Sequence, residues 1–194
     1  METLINRVKN VLVSPKTEWQ TIDGENDSHI VVLTKYVLLL AAIPAVAAFI
    51  GYGLIGFSVL GHHFASVSIG IKQAIIWYVT SIGVVYIAAF VIDLLATNFG
   101  SQKNFDKAFS LMAYAYTPTF VGGIFYIYPP LSPLAGLASI YSLYLLYIGL
   151  TPMMKTPAEK RTTYFVVSLL VTGAVYFILS AILTAILIGS AYKF

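Results

Sequence analysis

The stretch AYAYTPTF, residues 113–120, places Tyr114, Tyr116, Thr117 and Pro118 in the middle of an uncharged run. Phenol and threonine hydroxyls both donate and accept hydrogen bonds. A proline in a helix lacks an N–H and displaces the carbonyl four residues earlier, which here is that of Tyr114. Thr117, Thr119 or a tyrosine hydroxyl is placed to take up the freed carbonyl, as spanning helices allow. Two outcomes suit these residues. One is a kinked helix packed tightly into a bundle, helped by Gly122 and Gly123 just beyond. The other is a polar-lined cavity where Tyr114, Tyr116 and Thr117 face water or a ligand. Tyr141, Tyr144 and Tyr147 follow at steps of three and so share one helix face. That face is expected to meet the tyrosines of the Pro118 segment in a tyrosine-lined seam, with Tyr114, Tyr116, Thr117, Pro118, Tyr141, Tyr144 and Tyr147 as its candidate binding residues.

Charge chemistry is sparse. Asp93 ends an apolar run, where a carboxylate opposes the helix dipole and invites a cation. Lys35 opens the preceding run, and a Lys35–Asp93 ion pair is expected to staple the two together. His62 and His63 are adjacent and point different ways on any regular element, with no third ligand nearby, so no metal site is expected. GYGLIG, at 51–56, spells a dinucleotide fingerprint but ends an apolar helix rather than following a strand, and fails its context. Catalysis needs a nucleophile with a base, paired acids or a metal. No such constellation appears, so neither enzymatic activity nor a cofactor is expected. The chain has no cysteine, which excludes disulfides and thiolate metal sites. Basic residues scattered along the chain carry no nucleic-acid signal.

These residues must be positioned by elements suited to lipid. Of 194 residues, 59% are hydrophobic and 10% charged, with a mean hydropathy of +0.85. A soluble domain has about 25% charged residues. Charged residues divide the chain into runs long enough for spanning helices of about 20 residues. Pro129, Pro130 and Pro133 split the longest run in two. The pattern predicts an all-α integral membrane protein with five transmembrane helices at about 36–58, 73–94, 108–128, 134–154 and 164–188, forming a domain over 31–194. The runs do not alternate as barrel strands would. Nine of the eleven Lys and Arg fall on the side of the N-terminus, leaving Lys72 and Lys193 on the other. The positive-inside rule then places the N-terminus in the cytoplasm and the C-terminus outside.

Residues 1–30 form a cytoplasmic amphipathic segment. It lacks the apolar core of a cleaved signal peptide. Leu4, Ile5, Val8, Val11 and Leu12 share one helix face, opposite Asn6, Arg7, Lys9 and Asn10. Ser14 and Pro15 read as the cap and first residue of a second short helix, with Trp19 and Ile22 on its apolar side. The face of Leu4, Val8, Leu12 and Trp19 is expected to rest in the membrane interface, on the bundle or on a protein partner.

The opening LINRVKNVLVSPKTEW, the first-span LLLAAIPAVAAFIG at 38–51, the AYAYTPTF block and YLLYIGL at 144–150 together resemble the bacterial branch of the Yip1-domain family. The resemblance covers essentially the whole chain and implies a small inner-membrane protein with five spans. Eukaryotic members of that family are linked to Rab GTPases and carry an acidic DLYGP-like motif. Residues 14–29 here read SPKTEWQTIDGENDSH, so that role does not carry over. The expected function is a non-enzymatic scaffold or adaptor for membrane partners or lipids in the cytoplasmic membrane. The alternative is a small-solute or ion conduit along the tyrosine seam. The lipid bilayer is the expected partner, with a protein partner or a second copy of the chain as further candidates.

Overall fold

The computed structural model describes residues 3–59 and 62–191, with side chains described at all of these except 58–63 and 179–191. Two short helices lead the chain, α1 (Leu4–Val13) and α2 (Pro15–Gly24). Thr3 caps α1 by accepting from the Asn6 N–H at 3.3 Å. Ser14 ends α1 and precedes α2, and its carbonyl accepts from the Thr17 hydroxyl at 2.9 Å. Proline at the first position of α2 loses nothing, because that N–H has no helical partner.

The helix α3 (His29–Ile55) contains two π-helical stretches, Leu33–Val37 and Phe49–Ile55. A short antiparallel hairpin follows, β1 (Phe57–Val59) with β2 (His62–Phe64), in the register Phe57 to Phe64. The loop carrying His62 and His63 therefore contains a strand pair, and those two side chains lie outside the described residues. Next come α4 (Val67–Leu95), α5 (Phe105–Ala115), α6 (Thr117–Gly122), α7 (Ser132–Met154) and α8 (Ala158–Ala191). Among the described residues every other regular element is helical.

Among the described residues, four helical stretches are long and apolar enough to cross a membrane: His29–Ile55, Val67–Phe99, Pro129–Met154 and Ala158–Ile178. They correspond to the first, second, fourth and fifth expected spans. The third, expected as one helix over 108–128, is broken. It runs as α5, a turn at Tyr116, α6, and a 3-10 stretch Gly123–Ile127. Pro118 removes the bond to the Tyr114 carbonyl, and Gly122 and Gly123 weaken the helix beyond it.

The broken segment lies alongside α3 in parallel. His29 meets Asp106, Tyr36 meets Thr117, and Pro44 meets Gly123. A Cβ at Gly123 would lie 2.5 Å from Pro44 Cβ, so only glycine permits this approach. On the neighbouring helix face Ala41, Ala45, Ala48 and Gly51 are all buried, and their small size allows close packing there. Val11, Trp19 and Ile22 of the N-terminal helices belong to the same buried cluster as Phe109, Leu145 and Tyr164. Outside it stands a belt of exposed apolar side chains, among them Ile75, Val79, Phe90, Leu137, Ile140 and Leu170. Apolar surface of that extent suits lipid rather than water.

Candidate functional site

Under the N-terminal helices lies a buried charge cluster that adjoins the Pro118 break. Val11 is buried, and Leu4 and Val8 pack half-buried on the bundle. Leu12 is half-buried too, and its carbonyl accepts from Tyr141 Oη at 2.9 Å. The apolar face of α1 therefore rests on the bundle, and Ile5 and Val13 are its exposed apolar residues, 77% and 72% accessible. Trp19 is 2% exposed and sits in the core rather than at a lipid surface.

Arg7, which the helical pattern assigns to the polar face, is buried. Its Nη1 contacts Glu18 Oε1 at 2.5 Å and its Nη2 pairs with Glu25. Burial works against its charge, but the bond to Glu25 and the two carboxylates hold the guanidinium pKa raised. Arg7 Cζ also lies 5.5 Å from the centroid of the Tyr114 ring, within cation–π range.

From Tyr114 the polar contacts run into the bundle. Tyr114 meets Tyr36 edge-on with centroids 4.7 Å apart. Thr117 Oγ1 donates to the Tyr114 carbonyl at 2.6 Å, the acceptor freed by Pro118. With that proton committed, Tyr36 Oη donates to Thr117 Oγ1 at 2.7 Å. Arg7, Glu25, Asp27, Lys35, Tyr36 and Tyr114 line a cleft of about 470 Å³ at this level. The π-helical stretch Leu33–Val37 supplies Lys35 and Tyr36 to it, and such stretches are frequent at functional sites.

Several contacts fasten the helical pair to the bundle. Lys107 Nζ donates to the Glu25 carbonyl at 2.7 Å and the Asp23 carbonyl at 2.5 Å. Lys155 Nζ reaches Asp23 Oδ2 at 2.5 Å. At the start of α3 the His29 backbone N–H donates to Asp106 Oδ1 at 2.8 Å, and His29 Nδ1 lies 2.6 Å from the same oxygen. These bonds, the backbone one foremost, hold the Asp106 carboxyl below the usual carboxylate range.

Two expectations need correction. Lys35 and Asp93 do not pair. Lys35 is exposed at the cleft, whereas Asp93 is 9% exposed with Oδ1 unpartnered. The π-helical turn carries Lys35 toward α1, while Asp93 lies near Tyr164 of α8. The tyrosine seam is also not formed. Tyr141 stacks on Tyr144 with centroids 5.7 Å apart beside the α1–α2 elbow, and Tyr147 turns to Thr162 and Arg161 of α8. The face of α7 toward α5 and α6 carries Ala135, Ala138, Ser142, Leu145 and Gly149 instead, because small residues allow the helices to approach. There Thr119 Oγ1 lies 2.8 Å from Ser142 Oγ and 3.3 Å from Ser139 Oγ. Tyr116 faces a third direction, toward an apolar cavity of about 270 Å³ bounded by α4, α7 and α8.

Sequence reasoning missed Arg7, Glu18, Glu25 and Tyr36 as a group. One signal was available: Arg7 shares a short amphipathic segment with acids that have few other nearby cations. Among the described residues no three His, Asp or Glu side chains converge to hold a metal.

A helical bundle with four membrane-length apolar helices, capped at its charged end by an amphipathic helical pair, defines a polytopic integral membrane protein. The chain belongs to the Yip1-domain family, whose model matches residues 9–188. It is 30% identical over 127 residues to the inner membrane protein YohC of Escherichia coli K12, and equally to that of Escherichia coli O6:H1. Those matches cover 64% of this chain and 65% of each relative's length. No solved structure matches.

Proposed function

We propose that this protein is a non-enzymatic scaffold of the bacterial cytoplasmic membrane that presents its N-terminal helical pair as a fixed platform for a membrane partner or lipids. The carrying observation is the fastening of α1 and α2. A helix that bound lipid alone would need no buried Arg7–Glu18 pair and no Lys107 and Tyr141 bonds to its backbone. Fixed in this way, Asn6 and Lys9 stand exposed for a partner to read.

In this reading the chain crosses the membrane five times, the third time as the broken α5–α6 segment. Its parallel alignment with α3 supports the crossing. Its residues 108–127 reach on the order of 30 Å, against a hydrocarbon core of roughly 30 Å. The basic residues gathered around α1, α2 and the adjacent helix ends favour a cytoplasmic N-terminus and an external C-terminus. The conduit stands second because the seam between α6 and α7 is packed: a Cβ at Gly122 would lie 2.4 Å from Ala138 Cβ.

Photo-crosslinkers at Asn6 and Lys9 in native membranes test the scaffold. A discrete protein or lipid adduct is expected, and no adduct from either position would overturn it. Because the chain lacks cysteine, single cysteines at Gln102 and Leu131 test the topology by labelling from opposite sides.

A further inference from the structure

Five buried side-chain polar atoms among the described residues have no hydrogen-bond partner, and three belong to residues that line one cavity. They are Trp19 Nε1, Thr151 Oγ1 and Arg161 Nε. The cavity, about 370 Å³, lies between α2, the end of α7 and the start of α8. Lys16 and Gln20 complete its polar lining and Pro152 its apolar wall. Among the described residues no Asp or Glu lines it. Glu18, the acid nearest in sequence to Trp19, is occupied by Arg7.

An indole N–H and a guanidinium N–H can only donate, and a hydroxyl can donate as well. Buried donors are normally satisfied. A group that accepts several hydrogen bonds at once and carries negative charge would offer these side chains acceptors and answer Lys16 and Arg161. Carboxylate and phosphate both qualify, but the planar guanidinium beside an ammonium and scattered single donors suits the three-oxygen face of a phosphate. Arg161 is held in place for this, since its Cζ lies 4.3 Å from the Tyr147 ring centroid. The cavity stands at the basic end of the bundle, one turn from the last residue of α7. Ile148 and Pro152 bring apolar surface to it.

We infer that the cavity bounded by Lys16, Trp19, Thr151 and Arg161 binds a phosphate group, as carried by an anionic phospholipid headgroup or by free phosphate. A bound phosphate would tie α2 to α7 and α8.

Trp19 is itself the probe. The chain has two tryptophans, so Trp77→Phe leaves Trp19 as the only indole. Short-chain phosphatidylglycerol titrated into the detergent-solubilised full chain is expected to change Trp19 emission saturably, and diacylglycerol of the same chain length is not. Arg161→Gln should weaken the response by about tenfold or more, as expected for loss of a charge-assisted bond. Should Arg161→Gln fail to fold, Lys16→Gln, on an exposed side chain, should weaken it in the same direction. Lys72→Gln, an exposed basic residue near the start of α4 and away from the cavity, should leave it unchanged. Inorganic phosphate acting at the same concentration as the lipid would support the site and assign it to free phosphate. Phosphate acting only at far higher concentration would support it and assign it to lipid. An equal response to diacylglycerol, or a response indifferent to both Arg161→Gln and Lys16→Gln, would overturn the inference.

Discussion

Tyr36 Oη and Thr117 Oγ1, 81 residues apart in the chain, lie 2.7 Å apart in the interior and join α3 to the break between α5 and α6. The bond exists because Pro118 frees the Tyr114 carbonyl. Thr117 gives its only proton to that carbonyl and turns a lone pair toward Tyr36. A local backbone defect has thus become a tertiary contact.

Unequal losses are expected from the two partners. Tyr36→Phe removes a donor whose acceptor keeps its other bond, and should cost about 0.5–1.5 kcal/mol. Thr117→Val leaves both the Tyr114 carbonyl and the Tyr36 hydroxyl unpaired, at roughly 1–3 kcal/mol for each group. Thermal unfolding in detergent should therefore show the larger fall in Tm for Thr117→Val. Equal falls would show that Thr117 does not carry both bonds.

Arg7 and Glu18 should behave as a buried pair. Arg7→Leu takes the guanidinium from a carboxylate that is 6% exposed, and breaking such a pair costs on the order of 3–5 kcal/mol. Replacing both by leucine should recover most of that loss. Protease protection of residues 1–28 is the direct readout, since the helical pair would be released first. A double variant as open as Arg7→Leu would place the loss elsewhere.

Asp106 predicts a pH dependence of defined sign. Its carboxyl is held below the usual range by His29, so it contributes stability above the unfolded carboxylate value of about 3.9. That contribution is lost as pH falls from there through the lower folded value. Asp106→Asn keeps an acceptor for the His29 N–H but removes the charge. Its Tm should lie below that of the parent at neutral pH, and the two should converge below about pH 4. The side chain is 48% exposed, so the gap should be small and shrink with added salt. A constant gap across this window would exclude the carboxylate as its source.

Two glycines on α7 and its neighbour should respond oppositely to alanine. At Gly122 a Cβ would lie 2.4 Å from Ala138 Cβ, so Gly122→Ala should cost about 1–3 kcal/mol by overpacking. Ala138→Gly in the same chain should restore part of it. At Gly136 a Cβ would meet nothing within 4 Å, so Gly136→Ala should be neutral or slightly stabilising. Detergent thermal shifts on the three variants decide this.

Much of the architecture was legible because its causes are local. The length of each apolar run sets which segments can span lipid, and four helices of that length appear where those runs lie. Ser14 with Pro15 marks the boundary between α1 and α2, and Pro118 marks the break at Tyr116. Thr117 was already among the groups placed to satisfy the Tyr114 carbonyl, because the acceptor is three residues away.

What the tertiary structure decided was the rotation of each helix about its axis. Tyr141, Tyr144 and Tyr147 do share a face, as their spacing requires, but that face turns to α1, α2 and α8 rather than to Tyr114. Hydrophobic periodicity cannot choose between neighbours when nearly every neighbour, lipid included, is apolar. Lys35 and Asp93 were separated in the same way, since the π-helical turn at Leu33–Val37 re-aims Lys35. Arg7 was assigned to solvent by its helical pattern and became buried because Glu18 and Glu25 return to it across the Ser14 elbow. Composition and run length thus determined that this chain is a helical membrane protein and where its helices break. Charge pairing and the close approach of small residues, which exist only once the helices meet, decided which side chains form its interior.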